Sequence, residues 1–350
     1  MTVHGTRKNT RLRVDAPSLV ARMRRTPVTC AGKAQIVVKY RCWKVHMKNV
    51  GFFEHLGLMM KRVLAVLYAR TSRALLILFN NPILFFIFLF HELKKLATHL
   101  PQGEPLQFQR NNIVIELEYR NDPNIKEMYC GSYEISTIRA MKKLIRKDSV
   151  FIDVGANIGY VSAIGLGLVG PHGEVHSFEP VPEYHRCLSR IAALNPRYRL
   201  KANQLALGEN EGKATMELCS DNIGSNTMVD GLMDKESRKG TIIVDIERLD
   251  EYIEKFNLGN ISLIKIDVEG YELKVLRGLS KFFELYTSRP PIICEIMPED
   301  FLHQEHSLKD LSEYMSKYGY IAYSELNLRK RVDITGLRKL MNVVFICESR

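Results

Sequence analysis

Val150-Phe151-Ile152-Asp153-Val154-Gly155-Ala156-Asn157-Ile158-Gly159 reads as an apolar strand, a small-residue turn and the opening of a helix near Tyr160. Gly155 and Gly159 let a ligand come close to the backbone. At the switch point of a parallel sheet, a nucleotide-like ligand lies just beyond the carboxyl ends of the strands. The G-x-x-x-G spacing lacks the middle glycine that seats a pyrophosphate on a helix N-terminus. The carboxylate of Asp153, directly before the turn, repels a pyrophosphate and attracts a cation. The stretch therefore points away from NAD and towards S-adenosylmethionine, which carries an ammonium and a sulfonium.

Outward from this stretch, strand and helix patterns alternate. Strands are expected near 149–154, 174–179, 199–205, 262–267, 291–297, 319–324 and 341–347. The fold class that follows is α/β, a doubly wound, seven-stranded, mostly parallel sheet over 149–350. The second strand ends in Phe178-Glu179-Pro180, and an acid there can accept hydrogen bonds from ribose hydroxyls. The fourth ends in Ile264-Lys265-Ile266-Asp267-Val268-Glu269-Gly270-Tyr271-Glu272. Glu272 reads as a helix-opening acid. Asp267 is placed in the active site, because its strand is central. Lys265 is read as facing away from Asp267, packed or snorkelling. His176 and His185 read as structural. The loop Asp221–Asn226 is placed near the crevice. Residues 101–148 read as a lead-in, with a hairpin within 105–125 and an amphipathic helix from Ser136 to Lys147.

The net charge of +11 is confined to one end of the chain. Residues 1–50 hold 12 Lys and Arg against Asp15, and residues 51–350 hold 38 basic and 38 acidic residues. A neutral body argues against a nucleic-acid substrate. Residues 1–49 read as a basic, irregular tail, open to three explanations: a tail for anionic surfaces, a transit peptide, or a stretch upstream of an alternative start at Met47. Residues 50–100 form an apolar helical extension with Asn80, Asn81 and Pro82 at its middle. Its uninterrupted run Ile83–Phe90 falls short of the roughly 20 residues of a span. Monotopic membrane attachment is the preferred reading, over a span or a helix buried against a partner. Seven dispersed cysteines suggest reduced thiols in a cytoplasmic protein, at most at the cytosolic face of a membrane.

The sequence resembles the FkbM family of class I methyltransferases. The resemblance rests on D-V-G-A-N-I-G at 153–159, F-E-P at 178–180, K-I-D-V-E-G-Y-E at 265–272, Val275-Leu276-Arg277-Gly278 and the preceding Val244–Ile253. It covers roughly 129–350, and Arg248 replaces the family's usual Thr. The resemblance implies S-adenosylmethionine-dependent O-methylation of a glycan, lipid-linked or natural-product acceptor. It implies that Asp153, Gly155, Asn157 and Gly159 hold the methionine part, that Glu179 holds the ribose, and that Asp267 and Glu269 lie near the methyl group. A hydroxyl acceptor must lose a proton, so Asp267 is the first candidate for general base and Glu295 the second. Carboxylates at two strand ends are a weak signal for a metal, and none is assigned. The alternative is a non-catalytic protein that keeps the fold and acts through membrane or partner binding.

Overall fold

A computed structural model describes residues 90, 94, 98–100, 105–118, 122–220, 224–233, 236–287 and 289–348. All belong to the second of the chain's two units, Phe52–Arg350. The tail over 1–49, and the apolar extension except Phe90, Lys94 and 98–100, lie outside the described residues. Among the described residues no helix is long and apolar enough to cross a membrane.

The lead-in opens with an antiparallel hairpin, β1 (Leu106–Arg110) and β2 (Ile113–Leu117). Asn111 and Asn112 make its turn, both at positive φ, as a tight turn of this hand requires. Helix α1 (Pro123–Cys130) follows, capped by Asp122, whose carboxylate accepts from Asn124 N at 2.7 Å. Gly131, at φ 79°, ends it. Helix α2 (Ile135–Leu144) buries Ile138, Ala140 and Met141 on one face, matching the amphipathic period.

The central sheet comes next. Strands β3 (Val150–Val154), β4 (Glu174–Phe178), β5 (Arg199–Asn203), β9 (Ile261–Ile266) and β10 (Ile292–Ile296) run parallel. β11 (Tyr320–Ser324), β12 (Asn327–Arg331) and β13 (Met341–Cys347) complete it. The order is β12-β11-β13-β10-β9-β3-β4-β5, with β13 antiparallel to both its neighbours. All seven expected strands are present, and β12 adds an eighth at the edge. The reversal of order at β3 and β9 makes the switch point fall at the end of β3.

Helices cover both faces. Hairpin β1–β2, α2, α3 (Tyr160–Val169) and α4 (Pro182–Leu194) pack on one, around Phe151, Val175, Leu263, Ile293 and Val344. On the other, α5 (Leu249–Lys255), α6 (Glu272–Arg277), α7 (Ser280–Leu285) and α8 (Leu308–Lys317) pack around Ile152, Ile264, Ile292 and Phe345. Strands buried on both faces explain the near-continuous apolar runs of β3, β9 and β10. Between β5 and α5 the chain makes a second sheet, β6 (Ala206–Leu207), β7 (Gly212–Cys219) and β8 (Arg238–Glu247), ordered β6-β8-β7.

Candidate active site

Side chains two apart on a strand share a face. On the face under α2 and α3, the rung Ser177, Asp153, Lys265, Ile293 crosses four adjacent strands in register. One rung further along, at or just past the strand ends, stand Glu179, Gly155, Asp267 and Glu295. These four line a cavity of about 700 Å³, together with Asn157, Lys265, Glu269 and, from the lead-in, Ser132, Tyr133, Glu134 and Ser136. The position agrees with the expected crevice, and its size suits a drug-sized ligand, roughly 300–1,000 Å³.

The turn after β3 needs its glycine. Gly155 has φ 79°, and a Cβ there would lie 1.8 Å from the carbonyl oxygen of Asp267. Its N–H and that of Ala156 donate to Phe178 O at 3.1 and 2.9 Å, tying the turn to the end of β4. Asn157, at φ 51°, turns its side chain back to accept from Ile158 N at 2.6 Å.

Glu179 is buried on the cavity wall. Its Oε2 accepts from Asn157 N and its Oε1 from Val181 N, both at 2.9 Å. Burial pushes its pKa up to about 7 despite these two backbone donors. Each oxygen keeps a second lone pair for a ligand hydroxyl.

At the other end, the Lys265 ammonium donates to Asp267 Oδ2 at 2.6 Å. The expectation that Lys265 faces away is overturned: two residues apart, it shares the face of Asp267 and lines the cavity. Burial works against its charge, but Asp267, Glu134 and Asp153 outweigh that and hold its pKa well above the ordinary lysine value. Asp267, Glu269 and Glu295 bring oxygens within 4.8 Å of one another. Burial and then the neighbouring carboxylates push Glu269 up to about 9 and Glu295 up to about 11. Glu295 is thereby biased towards its protonated form beside Asp267. Glu269 sits in the left-handed region, φ 49°. Thr227 Oγ1 holds its carbonyl at 2.7 Å, and Glu272 Oε1 holds the loop through Val268 N and Gly270 N. Glu272 is thus a loop clamp at the start of α6.

Two expected ligand-binding residues do not line the cavity. Asp153 is fully buried behind the turn, where Oδ2 accepts from Ser162 Oγ at 2.5 Å and Oδ1 has no partner. Gly159, at φ 85°, opens α3, and a Cβ there would meet Leu188 Cδ1 at 2.9 Å. Its role is close packing of α3 on α4. His176 lies on the opposite face, bonded to Tyr252 Oη at 2.9 Å and Glu174 at 3.2 Å. Of the loop 221–226, Gly224 and Asn226 reach the cavity, and 221–223 lie outside the described residues.

Sequence reasoning missed the lead-in wall. Glu134 occupies the left-handed region at φ 43°, ψ 42°, a strain of about 1–3 kcal/mol. The residue is half-buried, but its Oε2 is shut off from solvent and has no partner, and burial pushes its pKa up to about 7. The hydroxyl of Tyr160, 2% exposed, is also unpartnered on this wall. Gly131, just before, was the available turn signal.

Residues 153–322 match the family described as Methyltransferase FkbM domain. The chain is 31% identical to Methyltransferase sdnD of Sordaria araneosa, over 37% of this chain and 60% of that protein. It is 26% identical to Hexuronic acid methyltransferase AglP of Haloferax volcanii, over 42% of this chain and 56% of that one. The chain thus matches less than two thirds of the length of these curated relatives. It is also similar to the crystal structure of Methyltransferase FkbM from Methylobacillus flagellatus KT, 18% identical, with 63% of this chain and 53% of that one covered and a TM-score of 0.37. The motifs at 153–159, 178–180 and 265–272 fall inside the matched range and converge on one cavity, and the region 153–322 belongs to the FkbM methyltransferase family.

Proposed function

We propose that this protein transfers a methyl group from S-adenosylmethionine to a hydroxyl oxygen of a glycan, lipid-linked or natural-product acceptor. The observation that carries the reading is the rung Glu179, Gly155, Asp267, Glu295, which lines one cavity with carboxylates around a single buried ammonium. Such a wall suits a cationic donor and disfavours a pyrophosphate. The residues fit the donor: Glu179 has free lone pairs for vicinal hydroxyls, Gly155 leaves backbone room, and Glu134 Oε2 lacks a partner.

When bound, S-adenosylmethionine supplies a methyl group already activated by its sulfonium. The chain then has to align the acceptor and remove one proton. Asp267 accepts that proton as general base, within reach of the cavity and oriented by Lys265. The same ion pair sets Asp267 beside Glu269 and Glu295, whose carboxyls burial biases towards the protonated form. A cation placed next to Glu269 and Glu295 lowers their pKa values, so donor binding is expected to release protons. The carboxylate wall favours a neutral hydroxyl acceptor, and the likeness to a hexuronic acid methyltransferase adds sugar acids to the panel to be tried.

The test is calorimetry with S-adenosylhomocysteine and NAD, followed by transfer of labelled methyl to glycan and lipid extracts. Uptake of NAD without uptake of the homocysteine compound would end this reading. Membrane attachment through residues 50–100 is a separate proposal, resting on the apolar run and basic flank of the sequence. Full-length protein found wholly in the soluble fraction after lysis would end it.

A further inference from the structure

We propose that Glu134 is the binding residue for the α-ammonium of the methyl donor, supplied by the lead-in segment outside the family-matched range 153–322. The inference rests on the reading that the donor is S-adenosylmethionine.

Among the described residues, five buried side-chain atoms lack a hydrogen-bond partner: Arg110 Nε, Glu134 Oε2, Asp153 Oδ1, Tyr160 Oη and Glu217 Oε2. Of these residues only Glu134 and Tyr160 line the cavity, and only Glu134 is an acid. A buried carboxylate oxygen without a donor is costly, and a ligand N–H would satisfy it. The lysine that lines the same cavity is not free to do so. Lys265 Nζ is already bound to Asp267 at 2.6 Å. The neighbouring Tyr133 leaves Glu134 Oε2 without a partner.

The backbone adds a second observation. Glu134 adopts the left-handed conformation, in which glycine or asparagine is more at ease. The segment is held there from behind. Arg110 Nη2 donates to Met128 O at 3.3 Å and Tyr129 O at 2.8 Å at the end of α1, and Ser132 N donates to Glu127 O at 2.9 Å. Hairpin and helix together fix a strained residue with its carboxylate on the cavity wall.

Position supplies the third. Helix α2 packs over β9, so Glu134 stands above the Lys265 end of the cavity, while Glu179 closes β4. β4 and β9 flank β3 on opposite sides, about 9–10 Å apart at two strand spacings. A donor with its ribose on Glu179, lying across the Gly155 turn, directs its aminobutyrate arm towards β9. That is where an unpaired acid waits for a primary ammonium with three donors.

The test compares two probes on the full chain. S-adenosylhomocysteine carries the ammonium. 5′-Methylthioadenosine keeps the nucleoside and thioether and lacks the amino-acid group. The wild type is expected to bind the first more tightly. Glu134→Gln is expected to weaken S-adenosylhomocysteine about 10–100-fold, the worth of a charged hydrogen bond, and methylthioadenosine less than about 3-fold. Glu134→Asn, which suits the left-handed backbone, should repeat the pattern and guards against a folding artefact in the first variant. Equal losses for both probes, or no loss for either, would overturn the proposal and leave Glu134 a structural residue. Wild-type protein that binds neither probe would instead bring down the donor reading, and this inference with it.

Discussion

The two ends of the cavity both present carboxylates, and the chain treats them in opposite ways. At the β4 end, Glu179 stands alone and receives a backbone N–H on each oxygen. At the β9–β10 end, Asp267, Glu269 and Glu295 crowd within 4.8 Å and share one ammonium. The first acid is fixed by the main chain before any ligand arrives. The others are balanced by mutual repulsion, a shared proton and Lys265, so a bound cation or a proton shifts them. Residue type alone does not assign a role here; the number of fixed donors around each carboxylate does.

Gly155 joins the two ends, and its loss should give the largest effect. Gly155→Ala puts a methyl against the Asp267 carbonyl and forces an L-residue to φ 79°. The expected cost is ~3–5 kcal/mol, seen as a fall in the urea midpoint, with no donor binding in what remains folded. An alanine variant with wild-type stability would show that the two ends are not coupled through this turn. The next effect sharpens the contrast. Glu179→Ala removes an acceptor organised for two hydroxyls and should weaken S-adenosylhomocysteine about 100-fold. Asp267→Asn should change that affinity only a few-fold and cut turnover about 100- to 1,000-fold, as expected on losing a general base. Equal losses of affinity in both variants, by calorimetry, would erase the distinction between a donor-holding end and a reacting end.

Much of this was legible from residue order. Period-two and switch-point reasoning found the seven strands, because β3, β9 and β10 are short apolar runs bounded by turns. It also put Glu179, Asp267 and Glu295 at strand ends. The β6–β8 sheet escaped, since Arg238–Glu247 opens on two cations and a glycine, closes on Asp245 and Glu247, and leaves half of its residues exposed. β12, rich in Arg and Lys, is an edge strand with little apolar pattern to betray it. Lys265 was misread although the same period applied to it, because a buried lysine is rare enough to favour a snorkelling account over a paired one. Asp153 and Gly159 sit in the motif but serve the scaffold behind it, a division visible only once α3 and α4 are packed. Glu134 gave no local signal of its place beyond Gly131, since the cavity it lines is completed by β9 and by the turn after β3, far along the chain.

The smallest effect isolates the crowded end by pH. Glu295 is raised from the ordinary glutamate range to about 11 in the fold, so between those values the folded chain holds a proton that the unfolded chain has released. Stability from this group is complete below pH ~4.5 and is lost as pH rises towards the folded value. The ligand-free protein should therefore melt at a lower temperature at pH 8 than at pH 5. Glu269, raised to about 9, adds to the same slope. Glu295→Gln keeps a donor to Asp267 without a proton to lose. It should leave the melting temperature at pH 5 nearly unchanged and raise it by about 2–4 °C at pH 8, near 1 kcal/mol for a domain of this size. Glu179→Gln gives the contrast, since its backbone N–H donors favour the carboxylate and an amide nitrogen in place of either oxygen would face an N–H donor. That variant should lower the melting temperature at both pH values. If both glutamines produced the same pH profile, the two ends of the cavity would be electrostatically alike, and the difference drawn between a fixed acid and a shared-proton cluster would not hold.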